Sequence, residues 1–136
     1  MDAETSSHSS AAMATRGRST LLIGASRDIV VCRRVRDGEV WISVAGVLDY
    51  ATRDMLAVAV RDSLAERPGR LVVDLDQVRL LDASAIGTLL RMHDLAGRCH
   101  AGLRLANPHG IVREALKATG SLPVLVGSPA EANRYN

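Results

Sequence analysis

Asp82-Ala83-Ser84 sets a carboxylate and a hydroxyl two positions apart, just ahead of a stretch whose apolar residues recur at helical spacing. A serine in the first turn of a helix lies among amides that have no intrahelical partner, and such amides accommodate an added phosphate without unfolding the chain. The same pair suits plain structural work, because Asp and Ser are both strong N-cap residues. Spacing alone leaves both roles open, with capping the simpler. Thr88 lies one turn further on and faces nearly the same way, either as a second hydroxyl acceptor or as a passive surface residue. Asp49, which follows Gly46-Val47-Leu48, either caps the next helix or helps to orient a partner.

Other chemistry finds little support. The chain contains no GxSxG elbow, P-loop, GxGxxG turn or paired carboxylate spacing, and Ser84 has no nearby histidine to serve as its base. His93 falls between the core rows of its helix, a surface or boundary position. Cys32 and Cys99 lack CxxC spacing and read as reduced, packed thiols. Cys99, His100 and His93 fall short of the four ligands of a closed zinc site. No catalytic residue, metal or cofactor is therefore expected, and the chain reads as a non-enzyme. Its 17 basic and 15 acidic side chains are interspersed, giving a formal charge of +2. That leaves no basic stripe for a phosphate backbone, so direct nucleic-acid binding is not expected.

The elements that must position Asp82 and Ser84 follow from the hydrophobic pattern. With 136 residues, 47% of them hydrophobic and none of them Phe, the chain suits one domain with an aliphatic core. Residues 1–27 are rich in Ser, Thr, Ala and Gly and are expected as a flexible tail, leaving 28–136 as the domain. Two apolar, β-branched runs flank Asp37-Gly38, the signature of a hairpin. Leu56, Val60 and Leu64 recur every fourth residue until Pro68-Gly69 ends their helix. Leu71 to Leu75 reads as a strand buried on both faces, followed by a loop from Asp76 to Ala83 and the helix from Ser84 to Arg98. Leu103 to Leu105 is the next strand. Asn107-Pro108 then predicts a helix closed by Gly120, with Asn as cap and Pro at the first position. Pro123 to Val126 reads as a last strand, and Ser128-Pro129-Ala130-Glu131 as a capping box opening a short final helix. The expected order is ββαβαβαβα, a mixed sheet with helices packed on it.

The segment from Asp74 to Leu90, with Asp-x-Ser leading into a Leu-rich helix, resembles the STAS family, whose members include the anti-sigma-factor antagonists of bacterial gene regulation. Gly46-Val47-Leu48-Asp49 and Asn107-Pro108 are similar to further marks of that family, and the resemblance covers about residues 29 to 131. It implies a STAS-like single domain and a phosphorylation site at Ser84. It also implies that Asp82, Ala83, Ser84, Asp49 and Thr88 contribute to a partner-binding surface. The implied partner is an anti-sigma factor with serine-kinase activity, held by the unphosphorylated protein and released on phosphorylation, with a phosphatase to reset the switch. Ala83 stands where the family has the first serine of a pair, and Ala85 where it has glycine, while the acceptor itself is retained. An alternative within the family is the STAS subunit of a lipid-transport ABC system, a constitutive binding module without phosphate chemistry. The N-terminus lacks a basic n-region, and Leu21-Leu22-Ile23 is too short for a signal core or a span. A cytoplasmic protein without membrane insertion is expected.

Overall fold

A computed structural model describes residues 20–127. Five strands, β1 (Thr20–Ala25), β2 (Ile29–Arg36), β3 (Glu39–Leu48), β4 (Arg70–Leu81) and β5 (Gly102–Ala106), line up in chain order in one sheet. Four helices, α1 (Arg53–Leu64), α2 (Ala83–Arg98), α3 (Gly110–Ala118) and α4 (Leu122–Val126), complete a single α/β domain. Strands β1 to β3 pair antiparallel and β3 to β5 pair parallel. The change of sense falls where helices begin to alternate with strands, because a parallel pair needs a crossover and a two-residue turn suffices for an antiparallel one. That turn is Asp37-Gly38, both at positive φ (53° and 80°).

The periodicities are honoured in three dimensions. Val40, Ile42 and Val44 of β3, with Leu71, Val73 and Leu75 of β4, are buried in the main core beneath Leu56 and Val60 of α1 and Leu89 of α2. Alternation places Trp41 and Val72 on the opposite face, where they join Ala106 in a second small cluster. The guanidinium carbons of Arg34 and Arg36 lie 5.6 and 4.9 Å from the Trp41 ring centroid, so cation–π contacts cover the indole.

Four expectations are corrected. Strand β1 occupies part of the segment expected as a tail: Leu22 pairs with Cys32 and Ala25 with Val30, so this Ser- and Gly-flanked stretch is ordered by ladder hydrogen bonds rather than by a large apolar face. Residues 1–19 lie outside the described residues. Strand β4 runs on to Leu81 through the expected loop, since Gln77, Val78, Leu80 and Leu81 still register against Ala45 to Leu48, accommodated by two register shifts. Helix α3 starts at Gly110, with His109 in the N-cap position and no side-chain cap bond. Asn107 instead takes a left-handed backbone (φ 58°) and donates from Nδ2 to Asp74 Oδ1 at 3.0 Å. Finally, Leu122–Val126 is helical, because Pro123 sits in the first turn, where its missing N–H costs nothing. The element order is therefore βββαβαβαα. The capping box at 128–131 lies outside the described residues.

Candidate functional site

Parallel β3 and β4 end side by side, with Leu48 opposite Leu81, so the turns after them meet at one edge of the sheet. The Asp82 amide donates to the Leu48 carbonyl at 3.2 Å and extends the pairing by one residue. From there the chain enters α2 with Asp82 as N-cap, in extended backbone geometry (φ −99°, ψ 175°), its side chain accepting from the Ala85 amide.

Asp82 is the hub of the site. Its Oδ1 accepts from the Ala85 amide at 2.9 Å and from the Ser84 hydroxyl at 2.7 Å. Its Oδ2 accepts from the Tyr50 amide at 3.2 Å, across to the turn between β3 and α1. Partial burial alone would raise the carboxyl. The Ala85 amide, the Ser84 hydroxyl and the amides of Tyr50 and Ser84 outweigh it and hold Asp82 below the usual carboxylate range. It is therefore anionic near neutral pH.

The facing turn is organised by Asp49. Its Oδ1 accepts from the amides of Ala51 (3.0 Å) and Thr52 (3.1 Å) and from the Thr52 hydroxyl (3.2 Å). Thr52 Oγ1 in turn accepts from the Asp49 amide at 2.9 Å, and its single proton goes chiefly to the nearer Val47 carbonyl at 2.8 Å, shared with Asp49 Oδ1. Asp49 thus holds the turn that leads into α1, while Thr52 occupies the N-cap position. The turn displays Tyr50, 71% exposed, with Arg53 stacked 4.4 Å from its ring centroid.

Gly46, upstream in β3, makes this approach possible. It has φ +116°, and a β-carbon there would lie 2.1 Å from the Asp28 carbonyl oxygen, which accepts from the Val47 amide at 2.8 Å. The glycine of Gly46-Val47-Leu48-Asp49 is there for backbone contact, and through it the Asp49 turn is set.

The structure brings Asp49, Asp82, Ala83 and Ser84 together, with Ala83 exposed and Ser84 half-buried at the second position of α2. Thr88 is different. It is 3% exposed, and its hydroxyl is engaged with the Ser84 carbonyl at 3.2 Å and Arg91 Nη2 at 3.0 Å. A buried, doubly bonded hydroxyl serves neither as acceptor nor as contact surface, and both readings of Thr88 are corrected. Tyr50 and Leu80, 42% exposed, flank the site and were not singled out from the sequence. Exposure of an apolar residue next to a turn is the signal that finds them, and it needs the fold.

His93 is half-buried at the boundary. Burial first, then the nearby Arg104 charge, lowers its pKa, with Asp94 opposing. Cys32 is half-buried and burial raises its thiol, whereas Cys99 is exposed. Among the described residues no group of three or more His, Cys, Asp and Glu side chains could hold a metal ion. No helix among them is long and apolar enough to cross a membrane.

Known proteins agree with this architecture. The chain is 37% identical over 78 residues to a STAS-domain containing protein of Pseudomonas aeruginosa, covering 57% of this chain and 76% of that one. Among solved structures, an anti-sigma factor antagonist from Mycobacterium paratuberculosis superposes with a TM-score of 0.69 at 23% identity, over 82% of this chain and 96% of that one. The anti-sigma factor antagonist SpoIIAA in its unphosphorylated form gives 0.58 at 17% identity, over 84% and 92%. A sulfate transporter family protein from Wolinella succinogenes gives 0.60 at 19% identity, over 74% and 86%. At these identities the structural likeness is one of fold. The STAS domain family itself matches residues 32–133. With three quarters of its length matched and the strand-ending Asp82-x-Ser84 cap in place, this chain belongs to the STAS-domain family.

Proposed function

We propose that the protein is an anti-sigma-factor antagonist. Unphosphorylated, it binds an anti-sigma-factor kinase through the edge formed by Asp49, Asp82, Ala83 and Ser84, and so frees a sigma factor. Phosphorylation of Ser84 ends the binding. The observation that carries this reading is the Ser84 hydroxyl, at the start of α2, donating its proton to Asp82 at 2.7 Å. That bond orients the hydroxyl with its oxygen lone pairs turned away from the carboxylate. An incoming γ-phosphoryl group from ATP forms the new O–P bond there, the bond to the β–γ bridging oxygen breaks, ADP departs, and the hydroxyl proton passes to a base supplied by the kinase. The depressed pKa of Asp82 suits it to orienting more than to keeping that proton.

The product explains release. The Ser84 oxygen can no longer donate, and a charge of about −1.5 to −2 now stands beside the Asp82 carboxylate. A partner surface shaped to a neutral hydroxyl meets that charge directly, and a like-charge or desolvated contact of this kind costs several kcal/mol, about a hundredfold in affinity. Supporting the reading, structural neighbours include anti-sigma factor antagonists, and SpoIIAA has been solved in both unphosphorylated and phosphorylated forms. A phosphatase completes the cycle.

The test is capture from source-cell lysate on immobilised wild type, Ser84→Ala and Ser84→Asp at one salt concentration, with mass-spectrometric identification. The expected result is a small ATP-binding kinase held by wild type and Ser84→Ala and lost from Ser84→Asp. Transporter subunits held equally by all three, as expected of a lipid-transport STAS subunit, would overturn the switch.

A further inference from the structure

Arg91 lies seven residues beyond Ser84 on α2. Seven residues turn a helix through about 700°, so the two side chains leave the axis within about 20° of each other, two turns apart. Helical side chains lean toward the N-terminus, and Arg91 does so: its Nη2 donates to Thr88 Oγ1 at 3.0 Å. Its Nη1 lies over Gly87, where a β-carbon would come to 3.5 Å from it. The absent side chain at 87 leaves a trough on the helix surface that runs from Arg91 toward Ser84. Arg91 is exposed, and its guanidinium already rests about one turn, ~5.4 Å along the axis, short of Ser84.

In the unmodified protein Ser84 offers this cation only a neutral hydroxyl oxygen, no better an acceptor than the Thr88 hydroxyl it already holds. Phosphorylation inverts the situation. The esterified oxygen no longer donates, and a near-dianion stands against the Asp82 carboxylate. Other charged groups near this end of the helix are Arg79, exposed on the strand that leads into it, and Asp49 and Arg53 of the facing turn. Asp49 is occupied by the amides of Ala51 and Thr52, and Arg53 is stacked on the Tyr50 ring. Among the described residues Arg91 holds only a neutral hydroxyl, and a charge-assisted bond to phosphate is about twice as strong as a neutral one. A planar guanidinium also meets a phosphate with two parallel N–H donors.

The geometry points to Arg91 as an intramolecular latch: it leaves Thr88, slides along the trough over Gly87 and pairs with phosphorylated Ser84. This deepens the proposed function and rests on Ser84 being a phosphorylation site. Arg91 also lines a groove of about 430 Å³ with Arg61, Leu90 and Leu95. Its departure changes that wall, so phosphorylation is felt along α2 beyond the modified residue.

The test uses full-length protein with phosphoserine installed at position 84 during translation, titrated by ³¹P NMR. An unpaired phosphoserine has its second ionisation near pH 6. In the otherwise wild-type chain that ionisation falls lower, and Arg91→Gln raises it by about half a unit or more. Arg91→Lys restores part of the shift, while Arg53→Gln leaves it unchanged. Circular dichroism verifies that these exposed-residue variants keep the fold. Equal titrations for wild type and Arg91→Gln, or a larger effect from Arg53→Gln, would overturn the latch. Because no kinase is needed to install the phosphate, a negative result leaves the switch reading standing. A kinase that ignores Ser84 would refute the switch while leaving the pairing measurable.

Discussion

Asp82→Ala is the most informative single change, because one carboxylate holds the start of α2, the Ser84 hydroxyl and the turn after β3. Replacing an Asp N-cap by Ala costs about 1 kcal/mol, and the lost negative charge at a helix N-terminus adds about 0.5 kcal/mol. The Tyr50 amide and the Ser84 hydroxyl are exposed or half-buried and recover water as a partner, so their loss adds only a few tenths of a kcal/mol each. The sum is about 2 kcal/mol. In a domain of this size that lowers Tm by about 8–12 °C. Asp82→Asn keeps an oxygen acceptor for the cap and loses the charge, so it should fall about midway between Ala and wild type. Acid pH gives the sign. The folded-state carboxyl titrates lower than the unfolded one, so its stabilisation is present above the unfolded value, near pH 4. That stabilisation is lost as pH falls through the folded value. Urea melts of wild type, Asn and Ala at pH 7 and at pH 2.5 provide the assay. The wild-type advantage over Asn should be present at pH 7 and smaller at pH 2.5. A pH-independent gap between wild type and Asn, or an Ala variant within about 0.5 kcal/mol of wild type at pH 7, refutes the hub assigned to Asp82.

Further outcomes follow from particular contacts. Gly46→Ala meets the Asp28 carbonyl at an impossible distance and at positive φ, so thermal melting should show a loss of at least about 3 kcal/mol. Gly69→Ala, with open space around its β-carbon, should stay within about 0.5 kcal/mol of wild type. His93 titrates lower in the fold than unfolded, so stability should decline as pH drops below about 6.5, and His93→Gln should flatten that slope in melts between pH 5 and 8. Alkylation at pH 8 should modify exposed Cys99 well before Cys32, whose thiol is held protonated by burial, as peptide mapping will show.

The parts that sequence made legible are those where a local rule and the tertiary environment agree. Asp37-Gly38 needs positive φ and has it, and the fourfold recurrence of Leu56, Val60 and Leu64 faces the core. Asp82 and Ser84 carried cap chemistry in their types; the structure uses Asp82 as the cap and sets Ser84 to donate to it. The illegible parts are those where environment decides. Strand β1 has no fully buried residue and is held by pairing with β2, which leaves no periodic trace. Leu122–Val126 is β-branched and apolar like a strand, yet it packs as a helical turn against β5, and Pro123 is compatible with either. Asn107-Pro108 looks like a cap followed by a first helical residue. The Asn side chain goes instead to Asp74, and the helix waits for His109. Thr88 misled for a related reason: one helical turn from Ser84 predicts a shared direction, but what lies 40° round the axis is already buried.

The central claim is that a phosphoryl group on Ser84 alone abolishes partner binding. The direct measurement is to incubate the captured kinase with ATP and wild type or Ser84→Ala, map the modification by mass spectrometry, and titrate each form against the kinase by calorimetry. The account predicts one phosphate, on Ser84, absent from Ser84→Ala, and an affinity at least about a hundredfold weaker once it is there. Phosphate on another residue, or equal affinity for the phosphorylated and unphosphorylated forms, would contradict it.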